Sequence, residues 1–249
     1  MSAAETIIEV DSAEPRSTVR LTTAQLAPRL VSRSSRTAHV ALVAAGALLL
    51  PGDQVSLRIR VGAGCLLHLE DIGGTVAYGP GAQRARWTTD IELAPGAALV
   101  WAAKPLIVSD GADVRRTTRV RLADGAILLA RETTVLGRSG ENGGTIRSRT
   151  LIDQESSPLL AEGLTASGSS AQPGILGGHR VFDTVTVAGL RPDAQSPGTM
   201  MLEGEGAVAR HLGPRAHDTP LGVLWDAWLG QIIAERSARR EQTHDYADR

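Results

Sequence analysis

The sequence predicts a mainly β protein in which short strands stack into a β-helix-like body, with one α-helical element at the C-terminal end. Apolar and polar residues alternate with a period of two along several segments, most clearly at 54–61. Turns that contain glycine recur between apolar segments, and helical spacing appears only near 218–238. Each strand–turn–strand unit leaves an apolar face that a neighbouring unit must cover, which favours a solenoid or two packed sheets. A β-sandwich of short strands is the alternative.

The first part of the chain carries weaker patterns. Residues 1–15 are acidic and lack a sustained period, so we expect a loose tail or one edge strand there. The β body is expected over 16–217, beginning with short strands at 18–21 and 26–31. Residues 40–50 are predicted to form one or two buried strands.

The clearest strand follows a Pro-Gly-Asp turn at 51–53. Val55, Leu57, Ile59 and Val61 share one face of the 54–61 segment, and polar side chains occupy the other face. This pattern is typical of a half-buried strand.

Turns that contain glycine recur along this part of the chain. Turns at 61–64, 93–97 and 122–126 each join two apolar strands, and Gly96 and Gly125 lie 29 residues apart. Glycine supplies backbone angles at such points that other residues disfavour. The repetition predicts coils that stack on one another.

One strand after these turns has a basic face, formed by Arg115, Arg119 and Arg121 with Thr117 between them. This face is either a solvated outer surface or a surface for an acidic partner. Long surface loops are expected near 166–178 and 189–198, on either side of a strand at 181–188.

The C-terminal element is predicted as an amphipathic helix at 218–238, followed by a frayed tail at 239–249. Thr219 can cap this helix, and Pro220 suits its first turn. A stripe of seven large apolar side chains has the i, i+3, i+4, i+7 spacing of one helix face: Leu221, Leu224, Trp225, Trp228, Leu229, Ile232 and Ile233. Burying such side chains contributes roughly 1.5–3 kcal/mol each, so the helix must pack on the β body or on a partner.

Composition limits the classes of function. The net charge of −1 gives no argument for nucleic acid or an acidic membrane as partner. Cys65 is the single cysteine, so no intrachain disulfide can form, and a cytoplasmic location is expected. The start of the chain lacks the pattern of a signal peptide, and the longest uncharged apolar run, at 40–50, is too short to span a bilayer.

Glu132 is the most informative single residue, because it lies within an apolar, β-branched stretch. A carboxylate there must be paired, solvated by a cavity or neutralised. An ion pair with Arg131 or Arg138 at a strand edge is the simplest interpretation.

Motifs of catalytic or tightly metal-binding sites are missing. The sequence contains no phosphate loop, nucleophile elbow or paired-cysteine zinc pattern, and its six histidines are scattered. Carboxylates at turns and within strands remain, among them Asp53, Glu132 and Glu162. If the coils stack, several could converge on one edge or on an internal channel and form weak, exchangeable oxygen ligands for a divalent ion.

Five short segments, in order between about residues 42 and 164, resemble the UreD family of urease accessory proteins, called UreH in some organisms. They are Leu-Pro-Gly-Asp at 50–53, Gly-Thr-Val-Ala-Tyr at 74–78, Leu-Val-Trp at 99–101 with Lys-Pro at 104–105, Glu132 with Leu-Gly-Arg at 136–138 and Gly-Glu at 140–141, and Pro-Leu-Leu-Ala-Glu-Gly-Leu at 158–164. The late helix with its tryptophans agrees in place.

The resemblance implies a helix-like β body with a pair of helices and a role without catalysis. UreD-like proteins join UreF and the GTPase UreG on apo-urease and help to deliver nickel during urease maturation. Nickel would be in transit, with no tightly bound cofactor.

Carried to this sequence, the resemblance implies two sets of residues. Asp53, Glu132 and Glu162 would be weak nickel ligands along a passage, and Thr75 would line it. The turn residues would be Gly52, Gly137, Arg138 and Glu141, with the last two paired.

Two other functions stay open on the sequence alone. One is a β-solenoid or jelly-roll module that binds or hydrolyses carbohydrate, for which paired carboxylates could serve. The low aromatic content of 3% argues against this function, since sugar sites normally present aromatic platforms. The other is an interaction protein with no metal role.

Overall fold

The computed structural model describes residues 4–170 and 174–247, with side chains up to Arg239. The described residues form seventeen strands, a short 3-10 turn (Ala216–Asp218) and one α-helix, α1 (Leu221–Ala247). The strands are β1 (Thr6–Asp11), β2 (Thr18–Thr22), β3 (Leu26–Arg33), β4 (Thr37–Ala44), β5 (Gln54–Val61), β6 (Leu66–Asp71), β7 (Thr75–Ala77), β8 (Ala85–Leu93), β9 (Ala98–Ala102), β10 (Leu106–Val108), β11 (Asp113–Leu122), β12 (Ile127–Leu136), β13 (Thr145–Gln154), β14 (Ser157–Ser167), β15 (Val181–Ala188), β16 (Thr199–Met201) and β17 (Gly206–Gly213).

The strands form two sheets that pack face to face. The seven-stranded sheet has the order β14-β13-β11-β8-β5-β1-β2, and the ten-stranded sheet has the order β16-β17-β15-β12-β9-β6-β4-β3, with β10 between β12 and β7. In the first sheet β5, β8, β11 and β13 are parallel, and in the second β4, β6, β9 and β12 are parallel. Successive coils therefore place strands in both sheets, which confirms the predicted solenoid-like β body.

Stacked glycine turns connect the two sheets at one end. The amide of Gly64 donates to the carbonyl of Pro95 at 3.0 Å, and the amide of Gly96 donates to that of Asp124 at 2.9 Å. Gly64, Gly96 and Gly125 have φ angles of 64°, 64° and 61°, in the left-handed region that favours glycine. The recurring turns predicted from the sequence are thus one continuous ladder.

The core lies between the sheets. Val55, Leu57, Ile59 and Val61 all point into it and are at most 2% exposed, as their alternation predicts. The opposite face of β5 is polar and faces solvent.

The structure differs from the predicted tail at the start of the chain. Strand β1 pairs in parallel with β5 and antiparallel with β2, so it lies inside the seven-stranded sheet, where Ile8 and Val10 are fully buried. Its acidic residues sit on the opposite, outer face, and β2 forms the edge. Residues 1–3 lie outside the described part of the chain.

Helix α1 packs on the outer face of the ten-stranded sheet. Leu221, Leu224, Trp228 and Ile232 are at most 5% exposed. They contact the apolar side chains of a second core cluster that includes Val100, Ile127, Leu129, Val185, Val187, Ala207 and Ala209. The apolar stripe thus docks within the same chain.

The bounds of the helix also differ from the prediction at 218–238. The 3-10 turn occupies 216–218, and the α-helix begins at Leu221 and continues to Ala247 through most of the predicted frayed tail; 248–249 lie outside the described residues. The described part contains one α-helix where the resemblance implies a pair. No described helix is long and apolar enough to cross a membrane.

Candidate functional site

A cavity of about 60 Å³ lies between the two sheets, beside the parallel core. Its walls come from β11, β12, β13 and β14 together with β15 and β17, and they combine apolar side chains such as Ile146 and Phe182 with polar ones. Because a cavity needs roughly 10–15 Å³ to hold one water molecule, this one has room for several. Polar side chains from both sheets meet inside the protein at this cavity.

Glu132 projects into this cavity because it shares the inward face of β12 with Ala130 and Thr134. Its Oε1 lies 2.6 Å from Nη2 of Arg116, which reaches across from β11 in the other sheet. The Arg116 side chain is 10% exposed and that of Glu132 is 32% exposed. The carboxylate is therefore neutralised across the core, within an interior strand.

Neither arginine predicted as the partner of Glu132 fills that role. Arg131 points to the outer face of the sheet, where its Nη2 lies 2.7 Å from Oδ2 of Asp183. Arg138 bonds Glu141 in the following turn. A residue next in sequence on a strand faces the opposite side of the sheet, so Arg131 cannot share the cavity with Glu132.

Glu162 faces the same cavity from β14. Both of its oxygens bond Arg210 of β17, with Nη1–Oε1 at 2.8 Å and Nη2–Oε2 at 2.9 Å. Arg210 also donates from Nε to Oγ1 of Thr184 at 3.2 Å. The cavity thus holds two carboxylates, each bound to an arginine from the opposing sheet.

Thr75 lines a smaller neighbouring cavity of about 20 Å³. Trp101 and Arg116 line both cavities, so the two are adjacent. Nε of Arg116 is buried without a hydrogen-bond partner among the described atoms.

Asp71, the last residue of β6, also lines the smaller cavity. Its carboxylate accepts hydrogen bonds from Nε1 of Trp101 at 3.0 Å and from the amide of Lys104 at 3.1 Å. Burial raises the pKa of Asp71 above its ordinary value, and these hydrogen bonds offset part of the increase.

Asp53 lies apart from both cavities. It follows Gly52, whose φ is 90°, and its Oδ2 accepts a hydrogen bond from the amide of Leu50 at 2.8 Å. This geometry stabilises the surface turn before β5. The structure therefore brings Glu132 and Glu162 together, places Thr75 next to them, and leaves Asp53 in a separate position.

The turn after β12 is closed by Arg138 and Glu141. Nε of Arg138 donates to Oε1 of Glu141 at 2.8 Å, and the amide of Arg138 donates to Oε2 at 2.9 Å. These bonds lower the pKa of Glu141 to about 2. Gly137 has a φ of 76°, and a Cβ there would lie 2.8 Å from the carbonyl oxygen of Glu141.

The donor set of the inter-sheet cavities suits weak contact with a cation. Among the described residues, no group of three or more His, Cys, Asp or Glu side chains is arranged to hold a metal ion. Carboxylate oxygens bind hard and borderline divalent ions, but an ion reaching Glu132 or Glu162 must compete with the guanidinium already bound there.

Comparison with known proteins places the chain in a family. The model of the UreD urease accessory protein family matches residues 3–242. The chain belongs to this family. It is 40% identical over 208 residues to urease accessory protein UreD 1 of Streptomyces griseus subsp. griseus, covering 82% of each chain. It is 36% identical over 206 residues to urease accessory protein UreD of Streptomyces avermitilis, covering 79% of this chain and 76% of the relative.

Sequence reasoning missed the arginines that complete the site in this UreD family member. In β11 the inward face carries Val114, Arg116, Thr118 and Val120, so Arg116 is a single charge among residues of the core-facing register. That isolated charge is a signal that could have identified it. Arg210 gives no comparable signal, because the residues of β17 do not alternate between buried and exposed positions.

Proposed function

We propose that this chain is a subunit without catalytic activity that joins UreF and UreG on apo-urease and passes nickel toward the urease active site during maturation. Its membership of the UreD family supports a urease accessory role. The observation that carries the nickel step is the shared inter-sheet cavity, into which Glu132 and Glu162 both project.

The physical argument rests on weak binding. A conduit must release its ion, and a deep Cys/His cluster would retain it. Glu132 and Glu162 offer oxygen ligands whose affinity for a cation is lowered by the bound guanidinium groups of Arg116 and Arg210. Nickel is the cargo in this proposal.

The proposal gives the four candidate residues different weight. Glu132 and Glu162 are contact points within one cavity, and Thr75 lines the adjacent one. Asp53 would meet nickel only at the surface, because its carboxylate is held in the turn by the amide of Leu50.

The test compares Glu132→Gln and Glu162→Gln with wild type in cells that express urease under limiting nickel. We expect each variant to assemble with UreF, UreG and urease in affinity purification but to lower urease activation at least threefold. The matched control is Glu92→Gln, which removes an outer-face carboxylate that is also paired with arginine. Equal activation by all four proteins would contradict the transit role.

A second comparison separates transit from folding. Glu132→Gln leaves the buried Arg116 charge unpaired, so the double variant Glu132→Gln/Arg116→Gln restores neutrality. If activation returns together with thermal stability in the double variant, Glu132 has a structural role only. If stability returns and activation stays low, the carboxylate itself is needed.

A further inference from the structure

The outer face of the seven-stranded sheet carries a row of arginines with only one carboxylate in an ion pair with it among the described residues. Arg86, Arg115 and Arg147 occupy the same register position on the parallel strands β8, β11 and β13. Arg149 lies two residues further along β13 on the same face. Neighbouring strands are about 4.8 Å apart, so these side chains form one compact group, the arginine patch.

Other rows of the same face have alternating charges. Glu92 lies between Arg60 and Arg121, with N–O distances of 2.9 and 2.7 Å. Asp90 lies 3.6 Å from Arg119. In these rows, therefore, a carboxylate on β8 lies next to an arginine on a neighbouring strand.

The arginine patch has much less of this compensation. Among the described residues, Asp113 is the one carboxylate that forms an ion pair with the patch, at 2.6 Å from Arg147, and it also bonds Arg84 at 2.9 Å. Within the described residues, no carboxylate forms an ion pair with Arg86, Arg115 or Arg149, all of which are exposed.

Like charges directly opposite each other destabilise a sheet, so the row works against folding. An external group of negative charge would remove the repulsion, and guanidinium groups bind carboxylates in a bidentate geometry. The rigid sheet also holds these groups at fixed spacing, which reduces the ordering needed on binding.

We propose that the arginine patch docks an acidic surface of a protein partner in the urease assembly, an inference that rests on the proposed accessory function. A protein suits the surroundings better than nucleic acid does. Beyond Arg86 the same face of β8 carries Asp90 and Glu92 in rows of mixed charge, whereas a continuing phosphate chain needs unbroken positive charge. A protein surface can place its own basic residues opposite them.

The experiment measures binding of the full-length chain to UreF, UreG and apo-urease, separately and combined, at 50, 150 and 500 mM NaCl. The double variant Arg86→Ser/Arg115→Ser should bind its partner at least tenfold more weakly at 50 mM NaCl, and the difference should shrink at 500 mM because salt screens exposed charges. The control Arg119→Ser/Arg121→Ser removes the same charge from compensated rows and should change affinity less than threefold. Removing repulsion should leave the melting temperature of the patch variant unchanged or higher.

The outcomes separate this inference from the function on which it rests. If wild type binds none of the partners, the proposed function fails and the inference fails with it. If wild type binds and the patch variant binds equally well, only the inference is overturned. Equal losses in both double variants would show a general field of positive charge and overturn the patch.

A single-stranded RNA of 20 nucleotides tests the alternative ligand. Patch-dependent binding of this RNA, with protein binding unchanged, overturns the proposal. A loss of protein binding with no RNA binding supports it. Charge reversal in Arg115→Glu should weaken protein binding further than Arg115→Ser does.

Discussion

At the scale of single residues, burial and partner decide what a carboxylate does in this chain. Asp53 and Glu132 were grouped by sequence as possible oxygen ligands, yet one closes a surface turn and the other enters the core. Glu132 is tolerated between the sheets because Arg116 neutralises it at 2.6 Å. The stability of the site therefore depends on the pair rather than on either residue.

The first prediction concerns this pair. Glu132→Gln should lower the free energy of unfolding by about 1–3 kcal/mol, because it leaves the Arg116 guanidinium buried without its counter-ion. The double variant Glu132→Gln/Arg116→Gln should lose less than the sum of the two single variants. Urea denaturation of the four proteins measures this coupling, and strictly additive losses would show that the two groups do not interact.

A second prediction follows from the pKa of Glu141, which hydrogen bonds from Arg138 lower to about 2. Because the folded pKa lies below the unfolded value, the charged carboxylate stabilises the fold above about pH 4.5. This contribution should disappear as the pH falls from about 4.5 to 2.

The measurement compares wild type with Glu141→Gln by thermal melting between pH 2 and 7. The difference in melting temperature should be constant above about pH 5 and shrink toward zero near pH 2. A difference that does not change over this range would mean that Glu141 acts through packing of the turn rather than through its charge.

At the scale of elements, Asp183 connects the helix to the sheet. Its carboxylate is fully buried and bonds Nη2 of Arg131, Oγ1 of Thr133 and Oγ1 of Thr219, each at 2.7 Å. Thr219 lies just before α1, so one side chain joins β12, β15 and the start of the helix.

The third prediction is that Asp183→Asn lowers the free energy of unfolding by about 2–4 kcal/mol, since an amide cannot accept all three hydrogen bonds or neutralise Arg131. The matched control is Asp218→Asn, which removes an exposed partner of Arg215 and should have a small effect. Urea denaturation of both variants gives the comparison. Equal, small effects would show that solvent replaces the lost partners of Asp183.

Several elements could be predicted from local pattern alone. The period of two in β5 indicates which face of the strand is buried, and the glycine turns indicate where each coil reverses. The apolar stripe of α1 indicates that the helix must pack against another surface. Each depends on residues close in sequence. The patterns therefore determine the type of element and its buried face.

The missed features depend on residues far apart in sequence. Strand β1 belongs inside its sheet because it pairs with β5, and nothing within 1–15 indicates that partner. Arg116 contacts Glu132 because the two sheets pack with β11 facing β12, and the periodicity of a single strand does not indicate which strand faces it. The helix continues past 238, and its arginines near that point bond the stacked glycine turns. Arg236 donates to the carbonyls of Gly64 and Gly96, and Arg239 donates to that of Gly125.

At the scale of the whole molecule, those last contacts join the C-terminal helix to the first turns of the solenoid. Arg236 is 8% exposed and donates to the carbonyls of Gly96 and Gly64 at 2.8 and 3.0 Å. Trp228 is fully buried and donates from Nε1 to the carbonyl of Ala194 at 2.8 Å. The helix is thus attached in the middle of its buried stripe and again beyond the C-terminal end of the stripe, which favours a single cooperative unit.

The last prediction is that helix and sheets unfold together. Isolated helices are marginal in water, and the buried side chains of α1 contribute roughly 1.5–3 kcal/mol each only while the ten-stranded sheet is intact. Hydrogen exchange at increasing urea should therefore give the amides of 224–236 and those of β12 the same opening free energy. Arg236→Gln removes the bonds to the turn ladder and should lower both opening free energies by the same amount, whereas Val223→Ala, at a side chain 82% exposed, should change neither. Earlier exchange of the helix in wild type would instead mean that α1 opens as a separate unit and that its apolar face becomes accessible while the sheets stay folded.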